Sequence, residues 1–230
     1  MGILNRMTVA LASAATLGLS AAASAQVAYS GYTDGAFNSS PVNTSAFSTS
    51  VFSGLTYENS LFNGTTAAGQ GFVGNNAQTQ GTQELNNFGS FFLTPPGPAG
   101  TVTDYSGNTF NLLISFLTPS TGNKTYTASL TGTVTNTTGG VAILFSNPVQ
   151  TFTLSNGNIV TLTLNNVVAL HDPTNAPCAA ATNPSTTSCA PITGFFTLTT
   201  TPEPSSIVLA ATGLFGLGLG TLRRRNKKSV

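Results

Sequence analysis

The middle of this sequence predicts an all-β fold, an antiparallel β-sandwich of jelly-roll type. Three observations carry that expectation. No stretch between residues 26 and 200 sustains an apolar period near 3.6 residues, whereas several alternate with a period of two. The alternating stretches draw on Val, Leu, Phe and Tyr on one side and Thr on the other, which suits a half-buried pleated surface. Clusters of Gly, Pro and Asn interrupt them at short intervals, as they do between short antiparallel strands.

The first strand expected in the body is Phe47–Ser53. Residues 63–82 are rich in Gly, Asn, Gln and Thr and read as a long loop. Leu85–Leu93 is the next expected strand, closed by the break Pro95-Pro96-Gly97-Pro98, and Thr109–Leu117 follows. Lys124–Thr135 gives the clearest alternation, with Tyr126, Ala128, Leu130 and Val134 on the core face and threonines on the solvent face. After a turn over Asn136–Gly140, the continuous apolar run Val141–Phe145 predicts a more central strand. Val149–Ser155 and Ile159–Asn165 form a hairpin around Asn156-Gly157. A two-residue turn would put Phe152 opposite Thr161 and divide the apolar residues between two faces. A three-residue loop aligns Phe152 and Leu154 with Val160, Leu162 and Leu164, so the apolar pattern favours an odd loop with a Gly or Asn in left-handed conformation. Ile192–Thr199 is the last expected strand. About 175 residues bury roughly 70% of the unfolded chain's surface, enough for one core without a cofactor.

Charge is concentrated at the ends. Lys124 is the only basic residue between positions 26 and 201, and the acids there are Asp34, Glu58, Glu84, Asp104 and Asp172. Only 6% of the chain is charged, against about a quarter in ordinary soluble proteins. Polarity in the body therefore comes from Thr, Asn, Ser and Gly, and no basic patch is available to neutralise phosphates, which excludes nucleic acid as an expected partner.

Residues 1–25 read as a signal peptide: Arg6 supplies the positive start, Met7–Leu19 the apolar region, and Ala23-Ser24-Ala25 the small residues a signal peptidase requires. Cleavage between Ala25 and Gln26 is expected, leaving a body over 26–200. Residues 205–222 are uncharged and apolar or small, long enough as a helix to reach about 27 Å, close to the hydrocarbon thickness of a bilayer. Arg223, Arg224 and Arg225 follow directly, with Lys227 and Lys228 behind. Such a cluster stops transfer and holds its side in the cytoplasm, so the body is expected outside. The two ends thus predict one topology independently.

Pro202-Glu203-Pro204 precedes that apolar stretch, and the combination of Pro-Glu-Pro, a Gly- and Leu-rich span and an immediate Arg-Arg-Arg over residues 201–230 resembles the PEP-CTERM protein-sorting signal. Thr201 stands where many members have Val. The resemblance implies an exosortase in the cytoplasmic membrane as partner, recognising Pro202, Glu203 and Pro204 and cutting there. It further implies a Gram-negative cell that makes extracellular polysaccharide, with release of the body or its transfer towards the cell surface. The prolines are compatible with that handling, because they hold the backbone extended and resist helix formation just outside the membrane.

Few residues in the body suggest chemistry. Cys178 and Cys189 are the only cysteines, and in an exported protein a disulfide between them is expected. His171, the only histidine, adjoins Asp172, but with no nucleophile motif beside it the Leu170–Pro173 stretch reads as a strand end and turn. The acids are scattered, with no metal-binding spacing. Five Asn-x-Ser/Thr triplets begin at Asn38, Asn43, Asn63, Asn123 and Asn136, a pattern that arises easily in so Asn- and Thr-rich a chain. The expectation is a non-enzymatic protein without metal or cofactor, belonging to the cell surface or extracellular matrix and associated with exopolysaccharide in a biofilm. The alternative is a lectin-like module, for which Tyr29, Tyr32, Tyr57, Tyr105 and Tyr126 are the aromatic platforms on offer in a body without Trp. An exported hydrolase is the third reading, disfavoured by the single His and few acids.

Overall fold

The computed structural model describes residues 28–65, 80–85, 87–94, 97–98, 100–118, 122–136, 138–153, 157, 159–170 and 187–199. Every regular element among them is a strand. The first half of the chain contributes β1 (Ala28–Phe37), β2 (Thr49–Phe52), β3 (Leu55–Glu58), β4 (Ser60–Thr65), β5 (Glu84–Leu85), β6 (Ser90–Leu93), β7 (Thr103–Asp104) and β8 (Thr109–Thr118). The second half contributes β9 (Gly122–Thr131), β10 (Thr133–Val134), β11 (Val141–Phe145), β12 (Val149–Thr153), β13 (Ile159–Leu164), β14 (Val167–Leu170), β15 (Ser188–Pro191) and β16 (Gly194–Thr199).

Seven strands form the main sheet in the order β14-β11-β9-β8-β1-β4-β5, which curls into a half-barrel. All its pairings are antiparallel except the short β4–β5 contact. A four-stranded antiparallel sheet, β15-β6-β3-β2, and a three-stranded one, β12-β13-β16, supply further layers, with β7 and β10 as a small pair. Aromatic rings join the layers. Phe110 of β8 lies 4.9 Å from Tyr57 and 4.8 Å from Phe91 between ring centroids, linking the main sheet to the four-stranded one. Tyr29 against Phe196 at 4.6 Å and Phe116 against Phe152 at 4.8 Å link it to the three-stranded one. These residues belong to one continuous buried cluster.

An interior strand of the main sheet, β1, was not among those expected from the sequence. Its inner face reads Tyr29, Gly31, Thr33, Gly35 and Phe37, too small and polar to give an apolar alternation. The glycines are there because neighbouring rings occupy the space. A Cβ at Gly35 would stand 2.5 Å from Phe110 and 2.6 Å from Tyr57, and one at Gly31 would meet the Phe62 ring and the Ser115 carbonyl. The core of this sheet is filled from β4, β8 and β3 across a bare backbone.

The expected Leu85–Leu93 strand is two strands in different sheets, β5 and β6. Gly89 between them has φ +91°, and Asn87 accepts the Gly89 N–H at 2.9 Å through Oδ1, a local turn that redirects the chain. Lys124–Thr135 likewise breaks at Gly132 (φ +108°), where a Cβ would strike the Gly140 carbonyl. The faces are as expected: Tyr126, Ala128, Leu130 and Val134 are all fully buried. Val141–Phe145 is an interior strand of the main sheet, between β9 and β14, with Val141 and Ile143 fully buried. The hairpin register also agrees with the apolar pattern. Phe152 pairs with Val160 and Thr153 with Ile159 across an odd connection, and Gly157 has φ +81°. Of the loop expected over 63–82, residues 63–65 belong instead to β4, which runs to Thr65, and 66–79 lie outside the described residues.

Candidate functional site

Two regions concentrate polar groups: the outer side of β1, and the outer face of the three-stranded sheet. On β1, Asp34 is only 2% exposed although it points away from the core. The segment between β1 and β2 folds back over it. Asp34 Oδ1 accepts from its neighbour's Gly35 N–H at 2.8 Å and from Ser48 Oγ at 2.9 Å, while Oδ2 accepts from the Thr44 N–H at 3.3 Å. Tyr32 donates its hydroxyl to Asn43 Oδ1 at 2.8 Å, and Asn111 of β8 donates to the Ser39 carbonyl at 2.9 Å. From the other side Asn59, itself buried, accepts the Ser48 N–H at 2.9 Å and donates to the Ala46 carbonyl at 2.8 Å.

Glu58 is the second buried acid, and both its oxygens receive the Gly81 N–H, at 3.0 and 2.9 Å. Gln83 adds a bond to the Ser45 carbonyl at 3.0 Å. Backbone N–H and hydroxyl donors therefore surround these carboxylates. Donors satisfy an anion and leave no oxygen-rich shell for a cation. Among the described residues no group of three or more His, Cys, Asp and Glu could hold a metal. What this arrangement can do is clamp two surface segments onto the sheets. Asp104 is different: fully exposed, it accepts the Ser106 N–H at 2.9 Å, and that bond holds its carboxyl below the usual range.

The tyrosines offered as aromatic platforms are consumed by the core. Tyr57, Tyr105 and Tyr126 are fully buried and Tyr29 nearly so. Burial pushes the Tyr29 and Tyr105 hydroxyls up to about 12, and raises those of Tyr57 and Tyr126 further. Tyr57 donates to Thr33 Oγ1 at 2.9 Å, and Tyr105 to the Ser53 carbonyl at 2.6 Å. Tyr32 alone is half-exposed, and its hydroxyl is committed to Asn43.

The second region repeats in two dimensions. Strands β12, β13 and β16 each carry a Thr-x-Thr, and their registers align these across the sheet. Thr151, Thr161 and Thr197 form the middle row. Thr153 and Thr199 flank Ile159 in one outer row, and Thr163 lies between Val149 and Phe195 in the other. The opposite face of the same strands, with Phe152, Val160, Leu162, Leu164 and Phe196, is buried. Ile159, Val149 and Phe195 are 39%, 47% and 38% exposed. No charge occupies any of the nine positions.

Of the residues to which the sequence assigned a processing, membrane-stop or disulfide role, Cys189 alone lies among those described. It is half-buried on β15 and packed against Phe92. Cys178, the His171-Asp172 pair, Ala25, Gln26, Pro202, Glu203, Pro204 and Arg223–Arg225 lie outside the described residues, as does the apolar stretch 205–222. Among the described residues no helix is long and apolar enough to cross a membrane. The buried acids and the threonine array were not singled out in advance. The repeated Thr-x-Thr was visible as a signal, but its alignment depends on strand register. Comparison with family models, curated proteins and solved structures finds no match for this chain.

Proposed function

We propose that this chain is an exported protein of the cell surface or extracellular matrix, delivered by a signal peptide over residues 1–25 and then handled by an exosortase at its C-terminal tail. One observation carries the reading: Pro202-Glu203-Pro204, an uncharged apolar span over 205–222 and Arg223–Arg225 occur in that order behind a signal peptide. The apolar helix holds the chain in the cytoplasmic membrane with its body outside, and cleavage near Pro202–Pro204 frees that body for association with exopolysaccharide. The body itself is a non-catalytic jelly-roll sandwich. Support for the sandwich comes from the ring contacts that join the main sheet to the two smaller ones.

Mass spectrometry of the mature protein from exosortase-bearing cells is expected to find the C-terminus near Pro202–Pro204. An intact Lys227-Lys228-Ser229-Val230 end in such cells would show that the tail is a plain anchor. Export also gives the two cysteines an oxidising environment, and a Cys178–Cys189 bridge belongs to this reading. It closes a short loop and adds about 3 kcal/mol on the loop-entropy account. Thiol titration of denatured, unreduced protein is expected to find no reactive thiol, and two reactive thiols would exclude the bridge.

A further inference from the structure

The threonine array on β12, β13 and β16 is set in register across three paired strands. Several threonine hydroxyls elsewhere serve the fold: Thr33 receives Tyr57, Thr127 donates to Asn111 at 2.8 Å, and Thr94 and Thr187 bond each other at 2.9 Å. Among the described residues, none of the six array hydroxyls is used in this way. They stand on a surface with the sheet's own repeat, about 4.8 Å from strand to strand and about 6.8 Å between alternate residues along a strand. Each presents a hydroxyl, which donates and accepts, beside a methyl group. At the corner, the half-exposed ring of Phe195 adds a flat apolar face.

We infer that this sheet face binds an extended, neutral polysaccharide. The inference rests on the reading of the chain as an exported surface protein, and it names the surface and the class of polymer. Charge points to the class. With no ionic group at any of the nine positions, the face offers nothing to a sulfated or uronic polymer beyond what it offers a neutral one, and it offers no anchor for an acidic or basic protein. A neutral polysaccharide matches it group for group, its hydroxyls meeting the threonine hydroxyls and its C–H faces meeting the methyl groups and Phe195. Position points the same way. The strand β16 ends at Thr199, and Pro202 can lie no more than about 10 Å beyond it along the chain. The array therefore stands next to the point where the tail is held and cut, on the outer side of the membrane, where a secreted polymer emerges.

The test is a depletion isotherm of the purified full chain on cellulose and on chitin, with an alginate gel as the anionic comparison. Binding to a neutral polymer is expected to survive about 1 M salt, where charge interactions beyond ~3 Å are screened. Replacing the middle row together (Thr151→Val, Thr161→Val, Thr197→Val) keeps side-chain shape and strand propensity. It is expected to weaken binding about tenfold, with Thr161→Val alone weakening it about threefold. Thr131→Val, on the outer face of β9, is expected to leave binding unchanged. Should the triple variant unfold, the single variant decides. Unchanged binding by a folded Thr161→Val or triple variant overturns the inference, as does absence of binding to both neutral polymers. Binding confined to alginate and erased by salt overturns it too. Failure of the sorting reading shows separately, in the mass of the C-terminus, because this assay does not depend on cleavage.

Discussion

Phe110→Ala is expected to lower stability by about 4 kcal/mol, a large share of the roughly 5–15 kcal/mol that holds a domain together. Phe110 has no exposed surface and touches Phe37, Tyr57 and Phe91 at centroid distances of 5.1, 4.9 and 4.8 Å. Its removal leaves a cavity where the main sheet meets the four-stranded sheet. The surrounding strands cannot close that cavity, because each is held in a hydrogen-bonded register on both sides. Gly35→Ala attacks the same place from the other direction, placing a methyl group 2.5 Å from the Phe110 ring and 2.6 Å from Tyr57. About 2 kcal/mol is expected for that overpacking. The two changes should not add: in the Phe110→Ala background the new methyl group has space on one side, so its cost falls. Urea unfolding midpoints of the two single variants and the double variant check this. Additive costs would show that Gly35 is not there to admit the Phe110 ring.

Asp34→Ala is expected to cost about 3 kcal/mol, and its effect should be concentrated in one segment. The carboxylate accepts three hydrogen bonds, from Gly35, Thr44 and Ser48, and charge-assisted bonds of this kind contribute about 1.5–3 kcal/mol each when buried. The Thr44 bond is partly exposed and long at 3.3 Å, so the sum is discounted. Alanine leaves the Gly35 N–H without its acceptor and frees the segment from Asn38 to Ser48 on the Asp34 side. Amide exchange is expected to rise most there and proteolytic cuts to appear there first, while β8 and β9 stay protected. Asp34→Asn retains one carbonyl oxygen but sets an amide N–H₂ against a donor, so an intermediate cost is expected. Uniform loss of protection across all sheets would mean that Asp34 supports the core and does not act as a clamp for that segment.

Some elements were legible because the information for them is local. In β9 the alternation of Tyr126, Ala128 and Leu130 with Thr125, Thr127 and Ser129 settles which face is buried, whatever the strand pairs with. Which faces of β12 and β13 match follows from the demand that Phe152, Val160, Leu162 and Leu164 share a face. β1 could not be read in this way. Its inner face carries Gly31, Thr33 and Gly35, and its value lies in the space it leaves for Phe62, Phe110 and Tyr57, which come from distant strands. Leu85–Leu93 misled for a related reason: its apolar residues lie close together in sequence, while Gly89 at φ +91° sends the two halves to different sheets.

The polar regions divide along the same line. Asp34 and Glu58 read as two scattered acids, and only the fold-back of neighbouring segments buries them among N–H and hydroxyl donors. The tyrosines looked available for a ligand, and the packing of three sheets around them made four of the five part of the core. By itself the amino-acid sequence determined the all-β class and the faces of its alternating strands, since each depends on residue order and near-neighbour chemistry. Tertiary structure alone decided which strands distant in the chain are neighbours, which acids are buried and which threonines line up across β13 and β16. Those outcomes depend on contacts between residues far apart in the chain, and no local pattern encodes where a distant ring will be placed.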